Sequence, residues 1–204
     1  MAMNFLEEKI LMDGTIKQGN LLKIDNFLNH QIDINIMRQI ANEIKHRFQD
    51  VEVNKVLTIE ASGIAIATMV GCLFDVPIVF AKKGESAIVS EDKYESLAYS
   101  FTHKKINYVF VSKPYLQATD KVLIVDDFLA DGQASLALIN IVHQAGAQLS
   151  GIGIAVEKGW QKGGNILREM GVRLESIAIV EEMDWETQSI RFRNQPKCKL
   201  YRSC

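Results

Sequence analysis

Apolar and polar positions follow two rhythms along the chain. Ile36, Met37, Ile40, Ala41, Ile44 and Phe48 recur at helical spacing, which predicts an amphipathic helix over 33–48. Lys55–Ile59 (KVLTI) is a short, β-rich apolar run and predicts a buried strand. Ala61-Ser62-Gly63 punctuates it, and 64–74 reads as a second helix. A short strand follows over 76–80, with Pro77 near its start. The clearest strand is 122–125 (VLIV), with a helix over 132–144 that Gly146 stops. A strand at 149–156, a helix at 161–170 and a strand at 172–180 complete the alternation. Buried apolar strands joined by helices predict an α/β fold with a mainly parallel sheet flanked by helices. Residues 84–113 break the rhythm: polar at first, then alternating through Ser100-Phe101-Thr102 and 106–111. They predict a β-hairpin lid inserted between sheet strands. The stretch 194–204 (NQPKCKLYRSC) is polar and basic and reads as a disordered tail.

Composition narrows the class. The 204 residues fit one domain. With 48% hydrophobic and 24% charged residues, the balance is that of a soluble globular protein. The net charge of −2 argues against nucleic-acid binding, which needs a clustered basic face. No run approaches the roughly 18 uncharged apolar residues of a membrane span. Glu7 and Glu8 arrive too early for a secretory signal. Cys72, Cys198 and Cys204 form neither a disulfide framework nor a zinc spacing. Cys72 lies in an apolar run and reads as a small core residue. The expected compartment is the reducing cytoplasm.

The informative segment is 122–134, VLIVDDFLADGQA. An apolar strand ends in two carboxylates, Asp126 and Asp127, and a glycine-bearing turn leads into a helix. Ligands of open α/β sheets bind beyond the carboxyl ends of strands. A helix N-terminus offers unpaired N–H groups to a phosphate, and Gly132 lets backbone close around it. Two carboxylates beside a phosphate suit sugar hydroxyls or a phosphate-bound Mg²⁺. The plain alternative is a solvated strand end with Asp131 as a helix cap.

This segment resembles the phosphoribosyl-diphosphate (PRPP) signature of the type I phosphoribosyltransferases. Further segments match, in order, from about Leu6 to Arg193. Residues 22–33 (LKIDNFLNHQID) resemble the base-pocket segment of bacterial xanthine phosphoribosyltransferases, and 58–65 (TIEASGIA) their pyrophosphate loop. Residues 79–83 (VFAKK) are similar to the next strand end, Tyr99-Ser100-Phe101-Thr102 to the lid, and 151–158 (GIGIAVEK) to the strand bearing a purine-contacting lysine. The resemblance implies transfer of ribose 5-phosphate from PRPP to xanthine, a purine-salvage step giving xanthosine monophosphate and pyrophosphate. It implies that Ala130, Asp131, Gly132, Gln133 and Ala134 cradle the 5′-phosphate. Glu60, Ala61, Ser62 and Gly63 hold pyrophosphate, with Lys82 or Lys83 nearby. Leu22, Asn29 and Lys158 line the base pocket, and Asp126 and Asp127 face the ribose. It also implies Mg²⁺ carried mainly by PRPP, no separate protein metal site, and a homodimer. The single domain would have a hood from 1–35 and 158–193 and a lid over 84–113.

Two alternatives share the fold: a transferase for hypoxanthine, guanine or adenine, and a PRPP-sensing transcriptional regulator. The regulator needs an added basic module, which neither the net charge nor the N-terminal segment supplies. Asp131 departs from the family pattern, which has threonine, serine or asparagine there. An inward carboxylate repels phosphate; an outward one only caps. Trp160, close to Lys158, has two readings: a purine wall or a packing residue.

Overall fold

Leu57 and Ile124 turn to one face of a sheet, and Val56, Leu123 and Val125 turn to the other. All are fully buried, as strand alternation between two covered faces requires. The computed structural model describes residues 3–19, 21–84, 92–100 and 105–195. Helix α1 (Phe5–Asp13) and a two-stranded ribbon, β1 (Thr15–Lys17) and β2 (Leu21–Lys23), precede helix α2 (Ile34–Arg47). Then come β3 (Lys55–Ile59), α3 (Gly63–Phe74), β4 (Ile78–Gly84), β5 (Lys93–Ser100) and β6 (Lys105–Ser112). The second half runs β7 (Lys121–Leu129), α4 (Gln133–Gln144), β8 (Gln148–Lys158), α5 (Gly163–Glu169), β9 (Leu174–Asp184) and β10 (Ser189–Phe192).

Eight strands form one sheet in the order β10-β9-β8-β7-β3-β4-β6-β5. The inner pairings β9–β8, β8–β7, β7–β3 and β3–β4 are parallel, and the edges are antiparallel. The sheet is thus mixed and mainly parallel, as expected. Met37, Ile40, Ile44, Ile66 and Val70 of α2 and α3 belong to the core on one face, with Val56, Leu123 and Val125. Leu138, Ile141 and Val142 of α4 belong to the core on the other, with Leu57, Ile124 and Ile152. Each such side chain contributes roughly 1.5–3 kcal/mol by leaving water. Because α3 and α4 cover opposite faces, the chain leaves β3 and β7 in opposite directions. A crevice therefore opens at the carboxyl ends of these two neighbouring strands.

Three features differ from expectation. The strand that was to end at Val125 continues through both aspartates to Leu129, because β8 pairs beside it as far as Leu129↔Glu157. The expected hairpin forms as β5–β6, but β6 also pairs with β4, so the hairpin extends the sheet edge. Its flank rests on α4, where Asn140 Nδ2 donates to Ser96 Oγ at 3.1 Å and Gln144 Nε2 to the Glu95 carbonyl at 2.7 Å. Residues 85–91 and 101–104, with much of the expected lid motif, lie outside the described residues, as do Cys198 and Cys204. Cys72 is exposed, not core. The buried face of α3 is Gly63, Ile66, Ala67, Val70 and Gly71, and the next position turns about 100° away from it.

Candidate active site

Strand β7 carries Asp126 and Asp127 to the crevice at 6% exposure each. Burial, then the Asp127 charge, pushes the Asp126 carboxyl well above the usual aspartate range. The Asp127 N–H donates to Asp126 Oδ1 at 3.0 Å, and the Lys83 charge opposes the upward shift from β4. Two acids are thus held in a dry strand end where a single surface aspartate would be fully solvated.

Beside them, β3 ends at Ile59 and the chain turns through Glu60, Ala61 and Ser62 into α3. The Glu60–Ala61 peptide is cis. Glu60 Oε1 accepts the Lys83 N–H at 2.7 Å. The Ser62 side chain makes no cap hydrogen bond. Gly63 is required by close approach: a Cβ there would collide with Thr58 Oγ1 and lie 2.7 Å from Asp126 Oδ1. Of the two lysines on β4, Lys82 lines a groove with Phe80, Phe110 and Tyr115, whereas the Lys83 charge acts on Asp126. Both lysines stand at the end of β4, and the backbone N–H of Lys83 ties that end to Glu60.

After Leu129 the chain makes the second turn. Gly132 sits at φ +86° and caps α4 by backbone alone, a conformation that disfavours a side chain. Asp131 Oδ1 accepts the Gln133 N–H at 3.1 Å. Its carboxylate therefore folds onto the turn's own backbone. With a neutral asparagine there, the same acceptor remains and one negative charge goes. Asp131→Asn is expected to tighten PRPP binding by no more than about fivefold, the scale of a solvent-screened repulsion near 1 kcal/mol. Titration calorimetry of both proteins with Mg–PRPP checks this; weakened binding in the variant would mean that the carboxylate makes a favourable contact.

Sequence reading missed the brace under this turn. The Gly163 N–H donates to the Ala130 carbonyl at 3.1 Å, and a Cβ on Gly163 would lie 2.5 Å from both that oxygen and the Gly132 nitrogen. Gly164 leaves room for the Glu157 carboxylate, which Arg168 binds through two 2.7 Å hydrogen bonds and Ser176 Oγ through one at 2.5 Å. Burial alone would raise Glu157, but Arg168 and Ser176 hold it below the usual glutamate range. The available signals were the glycine pair opening a helix and a glutamate in an apolar strand. Arg168→Ala leaves Glu157 at 2% exposure without its cation. The expected loss at pH 7 is about 3 kcal/mol, the low end for a broken buried pair because Arg168 is partly open to water. A depressed acid stabilises the fold above its unfolded-state value and loses that contribution as pH falls through the folded-state value. Urea midpoints of parent and variant should therefore converge as pH falls below the ordinary glutamate range.

Lys158 ends β8 half-buried, its Nζ 5.6 Å from the Phe128 ring centroid. Burial lowers its pKa from the usual lysine range, and Asp131, then Asp127, oppose that shift. Phe128, directly after the acid pair, was also missed; an aromatic in a strand reads first as core. Trp160 is 42% exposed just beyond Lys158. Leu22 is buried in the core that also holds Ile24 and Phe27, and Asn29 is exposed beyond that turn. The structure thus brings Asp126, Asp127, Lys158, the 130–134 turn, the 60–63 turn and Lys83 to one sheet end. Leu22 and Asn29 stand on a separate segment, and no hydrogen bond among the described residues joins them to Lys158.

The chain is 52% identical over 169 residues to xanthine phosphoribosyltransferase 2 of Clostridium botulinum, covering 82% of this chain and 89% of that one. Identity is 50% over 191 residues with xanthine phosphoribosyltransferase of Lachnoclostridium phytofermentans, covering 94% and 98%. The chain belongs to the xanthine phosphoribosyltransferase family. No protein-family model matches it. Among solved structures it resembles the adenine phosphoribosyltransferase of Giardia lamblia complexed with 9-deazaadenine, with TM-score 0.69 and 24% identity over 81% of this chain and 89% of that one. The Rhodothermus marinus adenine phosphoribosyltransferase gives TM-score 0.69 and 18% identity over 85% and 97%. At these identities the likeness carries the type I phosphoribosyltransferase fold alone.

Proposed function

We infer that this enzyme joins xanthine to the ribose 5-phosphate of PRPP, releasing pyrophosphate and forming xanthosine monophosphate. The observation that carries the reading is the buried acid pair at the switch point of a family member's sheet, flanked by two turns that open helices. A bond forms from a purine ring nitrogen to the anomeric carbon, and the bond from that carbon to the pyrophosphate oxygen breaks. Positive charge grows on the ribose in between. Asp126 and Asp127 stabilise it more than they stabilise the ground state. Residues Ala130 to Ala134 hold the 5′-phosphate through backbone N–H groups. Glu60 to Gly63 hold the leaving pyrophosphate, and Lys83 supplies positive charge, with Lys82 kept as the alternative. Lys158 donates to a xanthine oxygen, while Leu22 and Asn29 close the base pocket from the N-terminal hood. Adenine would set an amino donor against Lys158, so purines with an oxygen there are preferred.

No three acidic, histidine or cysteine side chains converge on a metal among the described residues. From the family resemblance we assign Mg²⁺ to the substrate as Mg–PRPP, where it would neutralise charge on the leaving group. The hairpin over 84–113 serves as the lid that keeps water from the ribose. No helix among the described residues is long and apolar enough to cross a membrane. We assign the enzyme to the cytoplasm and to a homodimer. Support for the dimer comes from the exposed groove of Phe80, Phe110 and Tyr115, with Leu73 also exposed. The deciding experiment mixes the protein with PRPP, Mg²⁺ and each purine in turn and follows nucleotide formation. Fastest turnover with xanthine is expected; turnover only with adenine, or PRPP binding without any nucleotide, would overturn the reading.

A further inference from the structure

Thr58 stands on β3 two residues before Glu60, with no exposed surface. Its Oγ1 has no hydrogen-bond partner among the described residues. A buried hydroxyl left unpaired is destabilising, and valine would fill the same space in a strand without that cost. The unpaired oxygen is not at a random point of the core. It and Asp126 Oδ1 crowd the one position that Gly63 leaves open by lacking a side chain. Gly63 opens α3 directly after the pyrophosphate turn, so three segments meet there: the end of β3, the end of β7 and the start of α3. Among the described residues Asp126 Oδ1 accepts from the Asp127 N–H, and the Asp127 side chain also bonds the Asp126 carboxyl. A buried carboxylate that carries full charge needs further donors. Thr58 Oγ1 and Asp126 Oδ1 are not hydrogen-bonded to each other in this structure. A side-chain rotation of Thr58 or Asp126 into the space over Gly63 would bring them together, and the Thr58 hydroxyl then has one hydrogen to give.

We propose that Thr58 is a positioning residue whose hydroxyl donates to the Asp126 carboxylate and holds it against the ribose as positive charge grows there. The role is exercised at the transition state, so binding of PRPP does not depend on it. Selection for this use explains why β3 keeps a polar group in a fully covered position. The inference rests on the phosphoribosyl-transfer reading above.

The test compares Thr58→Val, which keeps the shape without the hydroxyl, and Thr58→Ser, which keeps the hydroxyl without the methyl. Steady-state nucleotide formation and thermal melts are measured for both and for the parent. Thr58→Val is expected to melt at or above the parent temperature and to lose about tenfold in kcat, the scale of one donor to a charged group. Its KM for PRPP should stay within about twofold, because only a difference between ground and transition state is removed. Thr58→Ser should recover most of the kcat while melting lower. Parental kcat in Thr58→Val would overturn the proposal and leave Thr58 as a tolerated defect in the core. Failure of Thr58→Ser to recover rate, or kcat and KM changing together in both variants, would overturn it in favour of packing. If the parent itself forms no nucleotide from any purine, the functional reading fails first and this inference fails with it.

Discussion

Asp126→Asn should yield a protein that melts higher than its parent and turns over roughly 10²–10³ times more slowly, the range seen when one preorganised electrostatic group is removed. Both effects have one cause. Burial and the Asp127 charge raise the Asp126 carboxyl well above the usual range. The folded protein therefore holds that proton more tightly than the unfolded chain does. Stability from such a raised acid is present below the unfolded-state value and lost as pH climbs through the folded-state value. Above the unfolded-state value, ionising this carboxyl in the folded protein is a cost, and an amide that cannot ionise removes it. Each kcal/mol recovered is worth about 2–4 °C in a chain of this size. The same amide carries no charge to place against the ribose, so the rate falls. Thermal melts at pH 5 and pH 8, run beside steady-state kinetics, decide the matter. The stability gain should be larger at the higher pH. A destabilised variant with normal specific activity in its folded fraction would assign Asp126 to structure instead.

The second large effect concerns the base. Lys158→Ala removes a donor from a half-buried position beside Phe128. A substrate oxygen left without its partner costs about 1–3 kcal/mol, or roughly 5- to 150-fold in kcat/KM for xanthine. Mg–PRPP binding should change little, because the 60–63 and 130–134 turns, the proposed phosphate seats, are built from other segments. Discrimination between xanthine and adenine should fall by a similar factor, since the variant no longer opposes an amino group with a donor. Parallel kinetics with the two bases, with calorimetry for Mg–PRPP, check this. Xanthine turnover equal to the parent's would remove Lys158 from the pocket. The lowered lysine value adds a pH signature. The charged donor is lost as pH rises through a value below the ordinary lysine range, so parental xanthine use should decline on that side while the alanine variant stays flat.

Periodicity and local motif were enough to specify the helices at α2, α3 and α4 and the strands at β3, β7, β8 and β9, because each carries its own apolar face or run. Local motif also marked the acid pair and the 130–134 turn, whereas the 60–63 turn and Lys158 were singled out only by the resemblance to the type I family. Helix α1 was missed although Asn4 and Glu7 form a reciprocal cap, because its nine residues bury only Leu6, Glu7 and Ile10 and show little periodicity. Strand β10 was missed because Arg191 and its neighbours gain a strand conformation only by pairing with β9. What the tertiary structure alone decided is which groups meet. Only the pairing of β7 with β8 carries the strand past Asp126 and Asp127 and buries them, and burial is what changes their chemistry. Only the packing of α5 under the 130–134 turn makes Gly163 necessary and turns Glu157 and Arg168 into its brace. Local sequence specifies elements through the pattern along one segment, whereas contacts between distant segments, and the dielectric around a charge, depend on how those segments are stacked.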